Sequence, residues 1–164
     1  MIRLSELGEV PRKTLVMFLI IDTSASMAGA RIGLVNMAID GLLDRLKDMN
    51  DTNPDAIVEI AILTFGGKAQ WLTPNGSVKP ENFYFKHLDA VGPAMIGEAF
   101  HQLEEKLHTH SGFMQRASGS FAPIIFLVSD AEPSDAWESI LSLLKQNKWF
   151  NVSAKVALAV GDDA

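Results

Sequence analysis

The chain has 164 residues, 48% of them hydrophobic and 21% charged, which fits one globular domain over 1–164 with its core at 15–163. A formal net charge of −6, with no run of Lys or Arg, argues against nucleic acid as a partner. Cysteine is absent, which excludes disulfides, thiolate nucleophiles and sulfur-ligated zinc and favours a cytoplasmic location.

The first strong signal is an unbroken apolar run at residues 15–21, which predicts a central parallel strand that is buried on both faces. The run is much shorter than a membrane span, follows Arg12 and Lys13, and lacks a small-residue cleavage site. We therefore expect neither a signal peptide nor a membrane partner. Apolar residues then recur at helical spacing and predict an amphipathic helix over 31–49.

The middle of the chain adds a second predicted strand. Residues 57–65 are rich in β-branched and apolar side chains and end at a Gly-Gly pair. A short run at 69–72 is predicted to be the hairpin partner of that strand. Residues 83–85 indicate a further short extended stretch.

The C-terminal half continues the alternation of strands and helices. Helical spacing predicts helices at 97–108 and 134–146, the second capped by Ser134. Apolar runs predict strands at 124–129 and 152–160. The alternation predicts a three-layer α/β fold with a mainly parallel central sheet flanked by helices. Such sheets bind ligands at the carboxyl ends of their strands, near the topological switch point.

Hard oxygen donors follow two of the predicted strands. Asp22, Ser24 and Ser26 form an Asp-x-Ser-x-Ser pattern directly after the first strand, and Asp130 ends the strand at 124–129. Such residues are most often plain turn or capping residues, but both groups at one sheet edge favour a site for Mg2+ or Mn2+. Neutral hydroxyls would leave the ion positive and attractive to an acidic ligand.

This pattern resembles the metal-ion-dependent adhesion site of von Willebrand factor A (VWA) domains, in a Rossmann-like fold. In that family the two serines bind the ion, and the aspartates bind it directly or through water. The resemblance runs from Leu15 to Asp163. It implies a non-enzymatic module that presents Mg2+, or Mn2+, to an acidic residue of a protein partner. The implied metal ligands are Asp22, Ser24, Ser26 and Asp130.

Three shorter segments, at 129–135, 147–150 and 160–163, resemble the bacterial tellurium-resistance (TerY-type) branch of the family. That closer resemblance implies a role in tellurium resistance or in stress-response signalling. It also implies that the partner is a kinase or phosphatase encoded alongside.

The sequence departs from the family in two places. Ala94 stands in Pro93-Ala94-Met95-Ile96-Gly97, where the family usually supplies a threonine ligand. Because alanine offers no oxygen, we expect water to replace the hydroxyl and the cation affinity to fall by about 10–100-fold. Family members also continue with one more strand and a terminal helix, which this sequence, ending at Ala164, does not include. The resemblance thus implies an exposed sheet edge as a place for a partner.

Two alternatives stay open. The order of Asp22, Ser129, Lys155 and the Gly-Asp-Asp at 161–163 resembles phosphatases of the haloacid dehalogenase type. Those enzymes need a second carboxylate two residues after the nucleophilic aspartate, and residue 24 is a serine, so this function is disfavoured. The other alternative is a VWA scaffold with a degenerate, cation-free site.

Further residues receive secondary predictions. The histidines are not expected to bind zinc, with His101, His108 and His110 expected to be solvated, and Trp149 and Phe150 are expected to pack into the fold. Glu132 and Asp135 are expected to tune the field of the site, and Asp162 with Asp163 to form a turn at a strand end.

Overall fold

A five-stranded sheet organises the part of the chain that the computed structural model describes, residues 11–130 and 132–161. Its strands are β1 (Lys13–Asp22), β2 (Ala56–Gly66), β3 (Lys68–Trp71), β4 (Ile124–Ser129) and β5 (Ala154–Ala159). The helices are α1 (Ala30–Thr52), α2 (Ile96–Lys106), α3 (Glu138–Leu144) and α4 (Lys148–Val152). Short 3-10 turns occupy Ala25–Met27, Pro80–Asn82 and Ala117–Gly119.

The sheet has the strand order β3-β2-β1-β4-β5, with β1 at its centre. β1 is parallel to both of its neighbours, β2 and β4, and β5 is parallel to β4. Only β3 runs antiparallel, as the hairpin partner of β2. The predicted fold class, a mainly parallel sheet flanked by helices, is confirmed. Because the chain leaves β1 on one side for β2 and later crosses to β4 on the other, the switch point lies between the carboxyl ends of β1 and β4.

Two hydrophobic layers cover the sheet and explain why β1 is apolar at residues 15–21. Alternate residues of a strand point to opposite faces, so one set from β1 packs under α1 and the other under α2. The α1 side buries Leu19, Ile21, Val35, Ile39 and Leu43. The α2 side buries Phe18, Ile20, Phe65, Ala99 and Leu103. Both faces of β1 are therefore buried, as the continuous apolar run predicted.

Two buried asparagines join α1 to segments that lie beside it. The side-chain amide of Asn50 exchanges two hydrogen bonds with the backbone of Val58 in β2, donating to its carbonyl at 2.9 Å and accepting from its N–H at 2.8 Å. Asn36 makes the same pair with the backbone of Leu88, at 3.0 and 2.8 Å. Each amide thus satisfies two backbone groups that no helix or strand partner reaches.

The helix predicted at 134–146 begins later than expected. α3 starts at Glu138, and Ser134 does not cap it, because the Ser134 hydroxyl instead accepts a hydrogen bond from the backbone N–H of Ala94. The strand predicted at 152–160 is likewise shorter, because α4 occupies the chain up to Val152. Asn147 caps α4 by accepting from the N–H of Phe150.

Other predictions are met more closely. β4 has the predicted bounds, and β3 is the predicted hairpin partner. The predicted extended stretch at 83–85 forms no strand, although the backbone of Phe83 is extended. Trp149 and Phe150 pack against the α2-side core, as expected. Within the described ranges, no helix is both long and apolar enough to span a bilayer.

β5 forms one edge of the described sheet, and all six of its residues are exposed. Val156 and Leu158 therefore present apolar side chains to solvent, with Leu158 49% exposed. The predicted segment Asp162–Asp163 lies outside the described residues.

Candidate functional site

The carboxylate of Asp22 lies at the end of β1, directly beside the end of β4. Its side chain is fully buried, and both of its oxygens accept hydrogen bonds. Oδ1 accepts from the backbone N–H of Ser24 at 2.8 Å, and Oδ2 accepts from the hydroxyl of Ser129 at 2.7 Å. The parallel register, which sets Ile21 opposite Val128, brings these two strand ends together. Asp22 therefore ties the loop after β1 to β4.

The loop after β1 forms a 3-10 turn that holds two hydroxyls close together. The Oγ atoms of Ser24 and Ser26 are 3.1 Å apart. The turn is fixed to the segment before α2, because Ala25 donates its N–H to the Gly92 carbonyl at 2.8 Å and Thr23 accepts from Val91 at 2.7 Å. The sequence spacing predicted this closeness of the two serines.

Glycines permit the close approach of that loop to its neighbours. A Cβ at Gly66 would lie 2.2 Å from the carbonyl oxygen of Thr23, so a side chain there would collide with backbone. Gly92 has a φ of +74°, and a Cβ there would lie 2.6 Å from the Cα of Gly67. The positions of the hydroxyls therefore depend on backbone contacts that only glycine allows.

A cavity of about 440 Å³ opens over the loop. Its lining residues include Ser24, Ser26, Arg31, Ala94, Asp130, Glu132 and Ser134. Asp22 is not among the lining residues and lies beneath Ser24. Three of the four predicted ligands, Ser24, Ser26 and Asp130, thus line one cavity. The fourth, Asp22, lies beneath the cavity and accepts a hydrogen bond from the backbone of Ser24.

Asp130 is the one carboxylate of that predicted set that lines the cavity. Its side chain is only 6% exposed, and Oδ2 accepts a hydrogen bond from Nη1 of Arg31 at 3.1 Å. Its other oxygen, Oδ1, is buried without a hydrogen-bond partner among the described residues. An unsatisfied buried acceptor costs about 1–3 kcal/mol, and more when it is charged, so this oxygen calls for a donor or a cation.

Ala94 lies at the same cavity and is 4% exposed. Its backbone N–H donates to the Ser134 hydroxyl at 3.1 Å, and its carbonyl accepts from the Ser134 N–H at 2.9 Å. Ser134 thus places a hydroxyl beside the alanine. The sequence interpretation missed this role because it assigned Ser134 to a helix cap, and no local signal links residues 40 positions apart.

The carboxylate of Asp135 forms its hydrogen bonds away from the cavity. Its carboxylate accepts from the backbone N–H groups of Gly97 and Glu98 at 2.8 and 3.0 Å, and so caps the first turn of α2. Glu132, by contrast, lines the cavity and adds negative charge to its rim.

The donor set fits a hard divalent cation. Two hydroxyls and a carboxylate with an unpartnered oxygen are the ligand types that Mg2+ and Mn2+ prefer. The described residues contain no cluster of three or more His, Cys, Asp or Glu that would hold a metal by itself. A cation at this site therefore depends on the serine hydroxyls together with Asp130.

Of the described parts that the phosphatase alternative requires, Asp22 and Ser129 lie together, but Lys155 lies apart from them. Lys155 lies on β5, where its Nζ donates to the Ser153 carbonyl at 3.0 Å and lies 4.6 Å from the ring centre of Phe150. Lys155 is absent from the lining of the cavity. The imidazoles of His87 and His108 form hydrogen bonds with the carboxylates of Asp40 and Glu104, and both of these pairs lie on exposed surfaces.

Comparison with known proteins identifies the fold. No protein-family model matches the chain, and no curated protein matches it either. A solved structure described as von Willebrand factor type A from Catenulispora acidiphila matches with a TM-score of 0.66 at 16% identity, over 92% of this chain and 34% of that chain. Manganese-loaded TRAP protein from Plasmodium vivax matches with a TM-score of 0.62 at 15% identity, over 93% and 59%.

A third match is proximal thread matrix protein 1 from the mussel byssus, described with a zinc occupied MIDAS motif (MIDAS is the metal-ion-dependent adhesion site). Its TM-score is 0.59 at 17% identity, over 90% of this chain and 35% of that chain. The chain thus spans less than two thirds of each of these proteins. At such identities the comparison shows a VWA-like fold.

Proposed function

We propose, from this VWA-like fold, that the domain binds a divalent cation at Ser24, Ser26 and Asp130 and presents it to an acidic group of a protein partner. The observation that carries the proposal is the buried, unpartnered oxygen of Asp130 in a residue that shares a cavity with two serine hydroxyls 3.1 Å apart. Asp22 would act through Ser24 and through water, since both of its oxygens already accept hydrogen bonds.

The charge balance supports an acidic ligand. Two hydroxyls are neutral, so a divalent ion bound to them and to one carboxylate keeps a positive charge. The bound cation would supply electrostatic attraction for a carboxylate entering the cavity. Ser134, whose hydroxyl lies beside Ala94, is a further candidate ligand. Glu132 at the rim would weaken the attraction for an acidic partner.

The structural neighbours support a divalent cation in general. One is described as manganese-loaded and another as having a zinc occupied MIDAS motif. We assign Mg2+ as the cation in this protein because hard oxygen donors suit it. The role in a tellurium-resistance or stress-response system, the kinase or phosphatase partner and the cytoplasmic location rest on the sequence resemblances and composition alone.

A cation-free scaffold is the second candidate function, and Ala94 is the observation that favours it, since its side chain brings no oxygen to the cavity. Calorimetric titration of the domain with Mg2+ separates the two functions. We expect saturable binding by the parent protein and binding at least about tenfold weaker by Asp130→Asn, because a carboxylate ligand loses its charge.

The matched control for that titration is Asp40→Asn. Asp40 lies on α1, is half exposed and bonds to His87 away from the cavity, so its removal changes the net charge equally. We expect parent-like affinity for this control. Absence of Mg2+ binding by the parent, or equal losses in both variants, would remove the cation from the proposed function and leave the scaffold.

A further inference from the structure

Arg31 stands at the cavity in a position that no role described so far explains. It belongs to the first turn of α1, which begins at Ala30, and it lines the cavity together with Ser24, Ser26 and Asp130. Its side chain is 38% exposed, whereas that of Asp130 is 6% exposed. One end of this ion pair is therefore open to solvent, and the other is nearly buried.

Three contacts hold the Arg31 side chain against the site. Nη1 donates to Oδ2 of Asp130 at 3.1 Å and to the backbone carbonyl of Ser26 at 3.3 Å. The guanidinium also lies against Gly161, where a Cβ would come within 2.9 Å of Nη2. The fixed positive charge of an arginine is thus bonded to the carboxylate that the proposed function assigns to the metal.

Two cations on one carboxylate repel each other. A guanidinium keeps its charge at all working pH values, so it cannot be neutralised to make room for a divalent ion. A cation that binds the free Oδ1 of Asp130 therefore shares the carboxylate with Arg31, and the repulsion weakens both the cation binding and the Arg31–Asp130 ion pair. Since Arg31 is the more exposed partner, its side chain is the one that is free to move away.

We propose that Arg31 is a built-in competitor of the cation: it neutralises Asp130 when the metal is absent and lowers the metal affinity of the site. The inference rests on the proposed function, since it concerns the regulation of that same site. Removing the guanidinium then has two effects of opposite sign. The metal-free protein loses the partner of a nearly buried carboxylate and becomes less stable, while Mg2+ gains a ligand without competition.

The test is a Mg2+ titration of Arg31→Gln by calorimetry, combined with thermal melting in chelator and in Mg2+. We expect Mg2+ to bind roughly three- to thirtyfold more tightly than to the parent protein. We also expect a lower melting temperature in chelator and a larger rise on adding Mg2+. A merely structural role for Arg31 would lower the melting temperature in both conditions without tightening the binding.

Arg45→Gln is the matched control, because it removes the same charge from an exposed position on the same helix. It lies about 21 Å farther along α1 at 1.5 Å per residue, well beyond the Debye length of about 8 Å at physiological salt. Parent-like affinity is expected for it. Equal tightening in both variants would overturn the competition, because the effect would then belong to net charge.

Arg31→Lys keeps a positive charge and serves if the glutamine variant does not fold. Because a lysine ammonium lacks the guanidinium fork, we expect an affinity between those of the parent and Arg31→Gln. A parent protein that binds Mg2+, with unchanged or weaker binding in both Arg31 variants, overturns the inference but leaves the proposed function intact. No binding in the parent or in any variant instead overturns the proposed function.

Discussion

Asp22 and Asp130 are identical side chains at neighbouring strand ends, yet their surroundings give them different chemistry. Asp22 is fully buried and both of its oxygens are satisfied by Ser24 and Ser129. Asp130 bonds to Arg31 through one oxygen and has no partner for the other among the described residues. The first carboxylate therefore holds the loop in place, and the second is the one free to bind.

Ala94 provides the sharpest test at the scale of one residue. Ala94→Thr should bring a hydroxyl to the cavity and tighten Mg2+ binding by about 10–100-fold, the range by which metal sites respond to changes in their supporting ligands. Ala94→Val is the matched control, since valine has nearly the same shape but no oxygen. Calorimetry measures both. Equal affinities in the two variants would show that the hydroxyl does not reach the cation.

Local pattern explains why the closeness of Asp22, Ser24 and Ser26 could be predicted from the sequence. Alternate positions in one short loop can face one point, and the two serine Oγ atoms do lie together. Arg31 and Ser134 were not predictable, because the residues they bond to, Asp130 and Ala94, are 99 and 40 positions away. Only the folded sheet brings such pairs together. The assignment of Asp22, Ser24, Ser26 and Asp130 as metal ligands stays a prediction.

At the scale of the elements, the packed strand ends set the geometry of the site. Gly66, the last residue of β2, lies so close to the loop after β1 that a Cβ would lie 2.2 Å from the Thr23 carbonyl. That same carbonyl accepts a hydrogen bond from Val91. A single residue of β2, Gly66, thus constrains the position of the loop after β1, although it is not part of that loop.

Gly66→Ala should therefore displace the loop, lower the free energy of unfolding by about 1–3 kcal/mol, and weaken Mg2+ binding. The control is Gly33→Ala in α1, where an added Cβ meets nothing within 4 Å. That change should be neutral or stabilise by up to about 1 kcal/mol, because alanine favours a helix. Urea unfolding and calorimetry compare the two. A Gly66→Ala protein as stable as the parent would mean that the contact is not a constraint.

The elements that were predicted best are those with an uninterrupted apolar run or helical repeat in the sequence. β1, β2 and β4 follow apolar runs, and α1 follows a long helical repeat, so their types were correct and their bounds close. α3 begins later than predicted because a long-range bond competes with local propensity, and α4 was not predicted. Ser134 bonds to Ala94 instead of capping a helix, and α4, which Asn147 caps, ends at Val152, the first residue of the predicted strand.

At the scale of the whole molecule, as far as its residues are described, Lys155 lies apart from Asp22 and Ser129, the other described parts of the phosphatase alternative. Asp22 is buried with both oxygens bonded, residue 24 is a serine, and Lys155 is held at the sheet edge. A nucleophile needs an accessible atom and a nearby acid or base. The described residues give Asp22 neither an accessible oxygen nor a neighbouring carboxylate at position 24.

We accordingly expect no turnover of p-nitrophenyl phosphate by the domain in Mg2+, above the rate in buffer. Because a contaminating phosphatase would mimic activity, the assay is run in parallel on Asp22→Asn purified in the same way. Identical traces for the two proteins at the level of buffer are the expected result. Turnover by the parent that disappears in Asp22→Asn would restore the phosphatase alternative.

The two buried asparagines of α1, Asn36 and Asn50, restrict how this helix can move. Asn36 and Asn50 each bond to the N–H and the carbonyl of one residue outside the helix, Leu88 and Val58 respectively. Sliding or rolling of α1 over the sheet by even one residue would break all four hydrogen bonds together. These four bonds therefore oppose a sliding movement of the helix over the sheet. We therefore expect Arg31 to leave Asp130 by rotation about its own side-chain bonds.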